Sequence, residues 1–261
     1  MQFTLKVVDV AGQVKAESSS EDELYLVYQA PYEEGDRLVL SATETGHIHL
    51  SLDAGMPPAI VLLKDTPFSF TIPFGEKRMP YPPLSFGGSL HRLHVRSVEP
   101  CETAARRNLA FNPFDQHANQ SLFPHAVANV ETRGEAQFAA RNAIDGEKAT
   151  FDHGSWPFTS WGINKDPNAE LTVDFGRPVL VDEVFLYLRA DFPHDAWWNE
   201  ASITFSDGET IRLPLKKSGA AQRFPVPQRK IEWLRLHSLI KADDPSPYPA
   251  LSQIEAWGRE C

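Results

Sequence analysis

The chain has 261 residues, of which 42% are hydrophobic and 23% charged, with a net charge of -10 at neutral pH. That length fits two domains of ordinary size, and the composition is that of a globular protein. No stretch approaches the roughly 20 apolar residues of a membrane helix, and an acidic balance without a basic patch argues against a nucleic-acid backbone as partner. It suits a neutral or basic ligand.

The opening MQFTLKVVDV reads as a first strand. It lacks the charged start, apolar core and small-residue cleavage site of a secretory leader, so the expected address is the cytoplasm. Short apolar runs follow through residues 1–100: LYLVY, RLVLS, HIHLSL, AIVLL, FSFTI and LHRLHV. Several alternate as half-buried strands do, with Gly and Pro between them. This half is expected to be a small β-sandwich of unassigned role. Residues 77–88, KRMPYPPLSFGG, read as a long surface loop stiffened by proline. His47 and His49 lie two apart and share a strand face. Zinc needs about four converging ligands, and nothing in the histidine spacing supplies them, so the pair reads as a solvated face.

The strand pattern stops at 99–107, dividing the chain into domains 1–100 and 101–261. Residues 135–144 read as a short helical turn. From 170 the pattern is β again: LTVDF, a turn at Gly176 and Pro178, VDEVFLYL, a hairpin through Asp207-Gly208, KIEWLRLH and QIEAWG. The fold class expected is all-β, with two sandwiches. Cys101 and Cys261 read as two reduced thiols. The alternative is an end-to-end disulfide, worth up to about 5 kcal/mol in the chain-entropy model.

Five pieces of the second half, in order, resemble the discoidin or factor V/VIII C-type domains, a family that includes many bacterial carbohydrate-binding modules. They are NLA at 108–110, NAIDG at 142–146 with Thr150 behind it, LTVDFG at 171–176, the strand at 181–188, and QIEAWG at 253–258. The resemblance spans about 106–258. It implies a galactose-binding-like jelly roll whose loops hold ligand at one end, and a carbohydrate as partner. It also implies a structural calcium near Asp145 and Thr150. Where the family has a glutamate, this chain has Gln253, a neutral donor, so that site is expected to be weakened or empty. No cofactor is required.

Sugars need flat aromatic platforms beside planar hydrogen-bonding groups. Three loops offer both. The first holds His153, Trp156 and Trp161. The second holds Arg189, Asp191, His194, Asp195, Trp197, Trp198 and Asn199. The third, stiffened by prolines, holds Lys241, Asp243, Asp244 and Tyr248. Of the adjacent Trp197 and Trp198, one should face the core and the other solvent or ligand. The competing reading is that Trp156 and Trp161 pin the long insert to the sandwich and that Arg189 pairs internally with Asp191. Trp233 and Trp257 lie inside strand runs and read as core. The expected function is non-catalytic sugar binding. The alternatives are a glycan-active enzyme using the loop aspartates, which needs two carboxylates about 5–9 Å apart, and a protein-interaction module using the same aromatics as hot spots. Neither nucleic acid nor membrane is expected as partner, and the oligomeric state is left open.

Overall fold

The computed structural model describes residues 1–151, 154, 156–190 and 196–261. The first half forms eight strands: β1 (Gln2–Val8), β2 (Val14–Glu21), β3 (Glu23–Tyr28), β4 (Arg37–Ala42), β5 (Gly46–Ser51), β6 (Ala59–Leu63), β7 (Phe68–Thr71) and β8 (His91–Ser97). Alternation makes them. In β3, Leu24, Leu26 and Tyr28 are buried while Tyr25 and Val27 face water, the period of two that a pleated strand imposes. One sheet runs β2-β1-β4-β7, and the other places β6, β5, β8 and β3 side by side. Phe3, Leu5, Leu38, Ile48, Val61 and Leu93 close the core between them. β2 has no apolar alternation to announce it; VKAESSSE is a polar edge strand held by its pairing along β1.

The proline-rich segment at 77–88 is not merely a surface loop. Tyr81 and Phe86 are buried in the first core, edge to face at 5.6 Å, and both pack on Phe70 of β7.

A short helix, α1 (Pro100–Ala104), follows β8. A capping box between Glu99 and Glu102 closes its start, and Arg96 pairs with Glu102 at 2.7 Å. The second half then adds β9 (Arg107–Asn108), β10 (Leu122–Phe123), β11 (His125–Ala128), β12 (Trp161–Gly162), β13 (Leu171–Leu188), β14 (Trp198–Phe205), β15 (Thr210–Pro214), β16 (Gln222–Lys241) and β17 (Ala250–Glu260). Between β9 and β11 the chain returns to the first sandwich. Phe114 and Leu122 join its core, and β10 pairs with β6, Leu122 opposite Leu63. Residues 135–144 form two 3-10 turns, Ala136–Phe138 and Ala140–Ala143.

The second unit is a jelly-roll sandwich, with strand order β12-β17-β13-β16-β14-β15, β9 against β17 and β11 against β13. Its two longest strands, β13 and β16, lie side by side at the middle of the sheet. The sequence divides β13 at Gly176 and Pro178 into two strands joined by a turn; the structure instead has one strand that turns a corner there. Leu171 pairs with Leu236, the ladder lapses after Asp174, and it resumes at Val179 against Ile231 and Glu260. Pro178 has no N–H to offer. Gly176 sits at φ +69, and a Cβ on it would lie 2.5 Å from the Phe123 ring. Among the described residues no helix is long and apolar enough to cross a membrane. Cys101 and Cys261 are both exposed and free.

An ion cluster joins the two units. Glu260, at the end of β17, pairs with Arg107 and, at 2.6 Å, with Arg177. His47 of β5 lies 3.1 Å from it. His47 is therefore half-buried against the second unit rather than on a solvated face. Burial opposes ionisation of Glu260, but Arg177 and His47 outweigh it and hold the carboxyl well below the usual 4.5. A depressed carboxyl contributes stability that is present above its unfolded value and is lost as pH falls toward the folded one. Thermal melts are expected to drop as pH is lowered below about 4.5. Glu260→Gln is expected to melt lower at neutral pH and to show a shallower acid limb; an unchanged pH profile contradicts this role.

Candidate functional site

The start of β17 gathers the loops at one end of the second sandwich. Ala250 stands opposite Gly162 of β12, and its carbonyl accepts the Arg189 N–H at 2.9 Å just beyond the end of β13. The segments following β12, following β13 and preceding β17 therefore meet at one residue. A fourth segment lies over them. Gly162 carries no side chain, and a Cβ there would come within 2.5 Å of Thr132 Oγ1. The bare backbone lets buried Thr132 seat against the strand, and its hydroxyl accepts the Asn164 N–H at 2.9 Å.

That bond anchors an unusual turn. Asn164 and Lys165 have φ of 49 and 63, and Arg133 has 53. Left-handed backbone costs a residue with a side chain about 1 kcal/mol or more. Six non-glycine residues adopt positive φ among the described residues, and three of them line this one pocket. The turn carries the Lys165 ammonium to 4.6 Å from the centre of the Tyr248 ring. Below, Arg189 is 3% exposed, its guanidinium 5.7 Å from the Phe158 ring. Arg133 is paired to Glu135, with Nη2 donating to Oε2 at 2.8 Å. The pocket is open on one side and has a volume of about 120 Å³. On the other side of Arg133, a groove of about 600 Å³ opens between the two units, past Tyr81, His117 and Glu131.

A family model described as a domain of unknown function, DUF7402, matches residues 122–255, just over half of the chain. The chain belongs to the DUF7402 family. Every residue lining the pocket falls inside the DUF7402 span. No curated protein matches the chain. Among solved structures, chitosan-binding module 1 of a chitosanase/glucanase from Paenibacillus sp. IK-5 is 20% identical over 58% of this chain and 99% of that one, with a TM-score of 0.41. The fucose binding module SpX-3 of Streptococcus pneumoniae is 15% identical over 59% of this chain and 99% of that one, TM-score 0.40. The family 32 CBM of NanJ from C. perfringens, solved with galactose, is 14% identical over 51% and 91%, TM-score 0.39. Overlap this loose says nothing of ligand, which the chemistry of the DUF7402 pocket must carry.

Of the residues that the sequence singles out, the pocket takes Arg189 and Tyr248. Trp161 and Trp198 are corrected: at 0% and 1% exposure they belong to the core and offer no ring face. Trp161 is drawn inward by β12, with Nε1 donating to the Val130 carbonyl at 3.0 Å. Trp198 takes the inward position at the start of β14, which leaves Trp197 as the half-buried member of the pair, under the Lys217 ammonium at 5.2 Å. Trp156 lines a different cavity, with Tyr81 and Pro57, where the units meet. Trp233 and Trp257, read as core, are half-buried with Arg235 and Arg106 at 5.3 and 5.4 Å from their rings. Lys241 holds its own loop, donating to the carbonyls of Ala242 and Asp244. The Asp244 carboxylate accepts the Ser246 N–H and lies 3.7 Å from Lys217. Asp243 and Asn199 are exposed. His153, Asp191, His194 and Asp195 lie outside the described residues. Thr132, Arg133, Phe138, Asn164 and Lys165 were not singled out. The only local signals for them are the turn-forming Thr-Arg-Gly at 132–134 and the polar Asn-Lys pair between β12 and β13.

The oxygen set at Asp145 does not fit a calcium ion. Gln253 turns its amide NH₂ inward, where its two N–H groups are shared among Asp145 Oδ1 and the Ser252 carbonyl, each at 2.7 Å, and the Asn142 carbonyl. Its Oε1 accepts the Gly146 N–H at 2.9 Å. The reverse orientation would set oxygen against three oxygens and NH₂ against N–H. The converging acceptors are thus served by a neutral donor built into the chain, and Thr150 takes no part in these bonds. Burial pushes the Asp145 carboxyl up to about 7, against the pull of Arg141 at 3.7 Å.

Two outcomes are expected. Thr132→Val keeps the shape but leaves the Asn164 N–H without its acceptor; it should cost about 1 kcal/mol or more in urea unfolding. Thermal melts of the wild-type chain should be the same with calcium or with chelator, whereas Gln253→Glu, which restores a charged oxygen donor, should melt higher when calcium is added. A calcium-dependent wild-type melt contradicts the assignment.

Proposed function

We propose that the chain is a non-catalytic, discoidin-like carbohydrate-binding protein that holds one saccharide unit in the pocket of Arg133, Asn164, Lys165, Arg189 and Tyr248. The observation that carries this reading is the meeting at Ala250 of the segments following β12, following β13 and preceding β17, with a half-exposed tyrosine ring at their junction. A sugar's C–H face and hydroxyl edge need an aromatic surface beside fixed polar groups, and Tyr248 is 39% exposed in addition to the contact with Lys165. The five motifs from NLA to QIEAWG point the same way. The small volume suits a single unit, and the groove beyond Arg133 leaves room for a longer glycan. Hydrolysis by the usual route asks for two carboxylates across the cleft, and among the described residues none lines the pocket. In this reading residues 101–261 are the binding domain and residues 1–100 brace it. Two exposed free thiols suit the reducing cytoplasm as its address.

A glycan array followed by calorimetry is expected to find a saccharide ligand for the folded chain. Tyr248→Ala should weaken it at least about tenfold, ~1.4 kcal/mol, with the melt unchanged. A blank array, or a tyrosine variant that binds as well as wild type, counts against the proposal.

A further inference from the structure

We propose that the pocket recognises the anionic group of an acidic sugar, a carboxylate or sulfate carried on a single saccharide unit. This rests on the carbohydrate reading and narrows it.

The whole chain carries 35 acidic and 25 basic residues, so a lining drawn at random holds more acids than bases. This lining reverses that: Arg133, Lys165 and Arg189 are present, and among the described residues no Asp or Glu. The donor balance follows. Sugar hydroxyls both give and take hydrogen bonds, and a neutral sugar is served by carboxylates as well as amides. Here the charged side chains can only donate, which matches a ligand group that can only accept.

Lys165 is the residue on which recognition turns. Its ammonium rests over the Tyr248 ring, and among the described residues no carboxylate lines the pocket beside it. The ring face attracts charge but uses none of the three N–H donors in a conventional hydrogen bond. Arg133 spends Nε and Nη2 on Glu135 and keeps further donors on its planar fork. Glu135 itself lines the wider groove and not this pocket. Both cations sit on left-handed backbone held by the Thr132–Asn164 bond. Such strain persists where the surroundings impose it, and it clusters at ligand clamps.

The test is calorimetry on the full chain with matched sugars: galactose, galacturonate and galactose 6-sulfate, then glucose and glucuronate, with acetate alone as a control. The acidic members are expected to bind roughly tenfold tighter than their neutral partners, and added salt should erase that gap. Lys165→Gln should remove the preference and Lys165→Arg restore it, with melts unchanged because the side chain is exposed. Neutral and acidic sugars binding equally overturns the anion inference and leaves sugar binding standing. Acetate binding as well as galacturonate overturns it as a sugar site. A chain that binds none of them overturns both readings.

Discussion

The contact of Thr132 with the bare backbone of Gly162 governs the geometry of the pocket. Without a Cβ at 162, the 3-10 segment Thr132–Gly134 comes close enough for a threonine hydroxyl to reach the Asn164 N–H. That single acceptor steadies two successive left-handed residues, and these aim Lys165 across the Tyr248 ring. Phe138 lies against the same glycine, with its Cβ 3.2 Å from where a side chain would begin. The pocket is therefore set by a close packing event between an irregular segment and a two-residue strand, and its charged groups follow from it.

The rest of the second unit supplies a rigid base. β13 and β16 pair with each other over most of their length, and each carries a further neighbour, β17 on β13 and β14 on β16, in one continuous sheet. The corner at Gly176 receives the Phe123 ring, and Phe123 is itself in a strand of the first sandwich. Glu260 ties His47 to the same region. The two units are thus fastened at a strand, at a ring contact and at an ion cluster, and a pocket at the far end of β17 inherits that stiffness.

Strand existence was legible because alternation is local: the apolar runs from LYLVY to LHRLHV all became strands. β2 was not, since an edge strand of serines and glutamates carries no apolar period. Arg189 and Tyr248 line one pocket, and sequence could bring them to one end because residues in loops between confident strands project from a sandwich end. The tryptophans went the other way. Trp161 and Trp198 looked like platforms by their loop surroundings, yet each begins a strand and is drawn inward. Trp233 and Trp257 looked like core by their strand surroundings and face outward under arginines. Depth depends on which face a register selects, and one residue's slip reverses it. Thr132 and Asn164 could not be joined from sequence, since their bond crosses 32 positions. Gln253 was legible as a missing charge, but the turning of its amide NH₂ toward three oxygens needed coordinates.

The return of the chain through β10 has a bearing on modularity. Binding modules that travel between proteins are beads, cut at a linker and rejoined elsewhere. Here a cut near residue 100 would strip Phe114 and Leu122 from the interior they fill and leave the backbone of Leu62 and Leu63 without its neighbour. The released piece would bear naked apolar side chains, and the remnant an open sheet margin of the sort that invites self-association. The two halves are stitched rather than strung, through Phe114 and Leu122 in the first core and the pairing of β10 with β6.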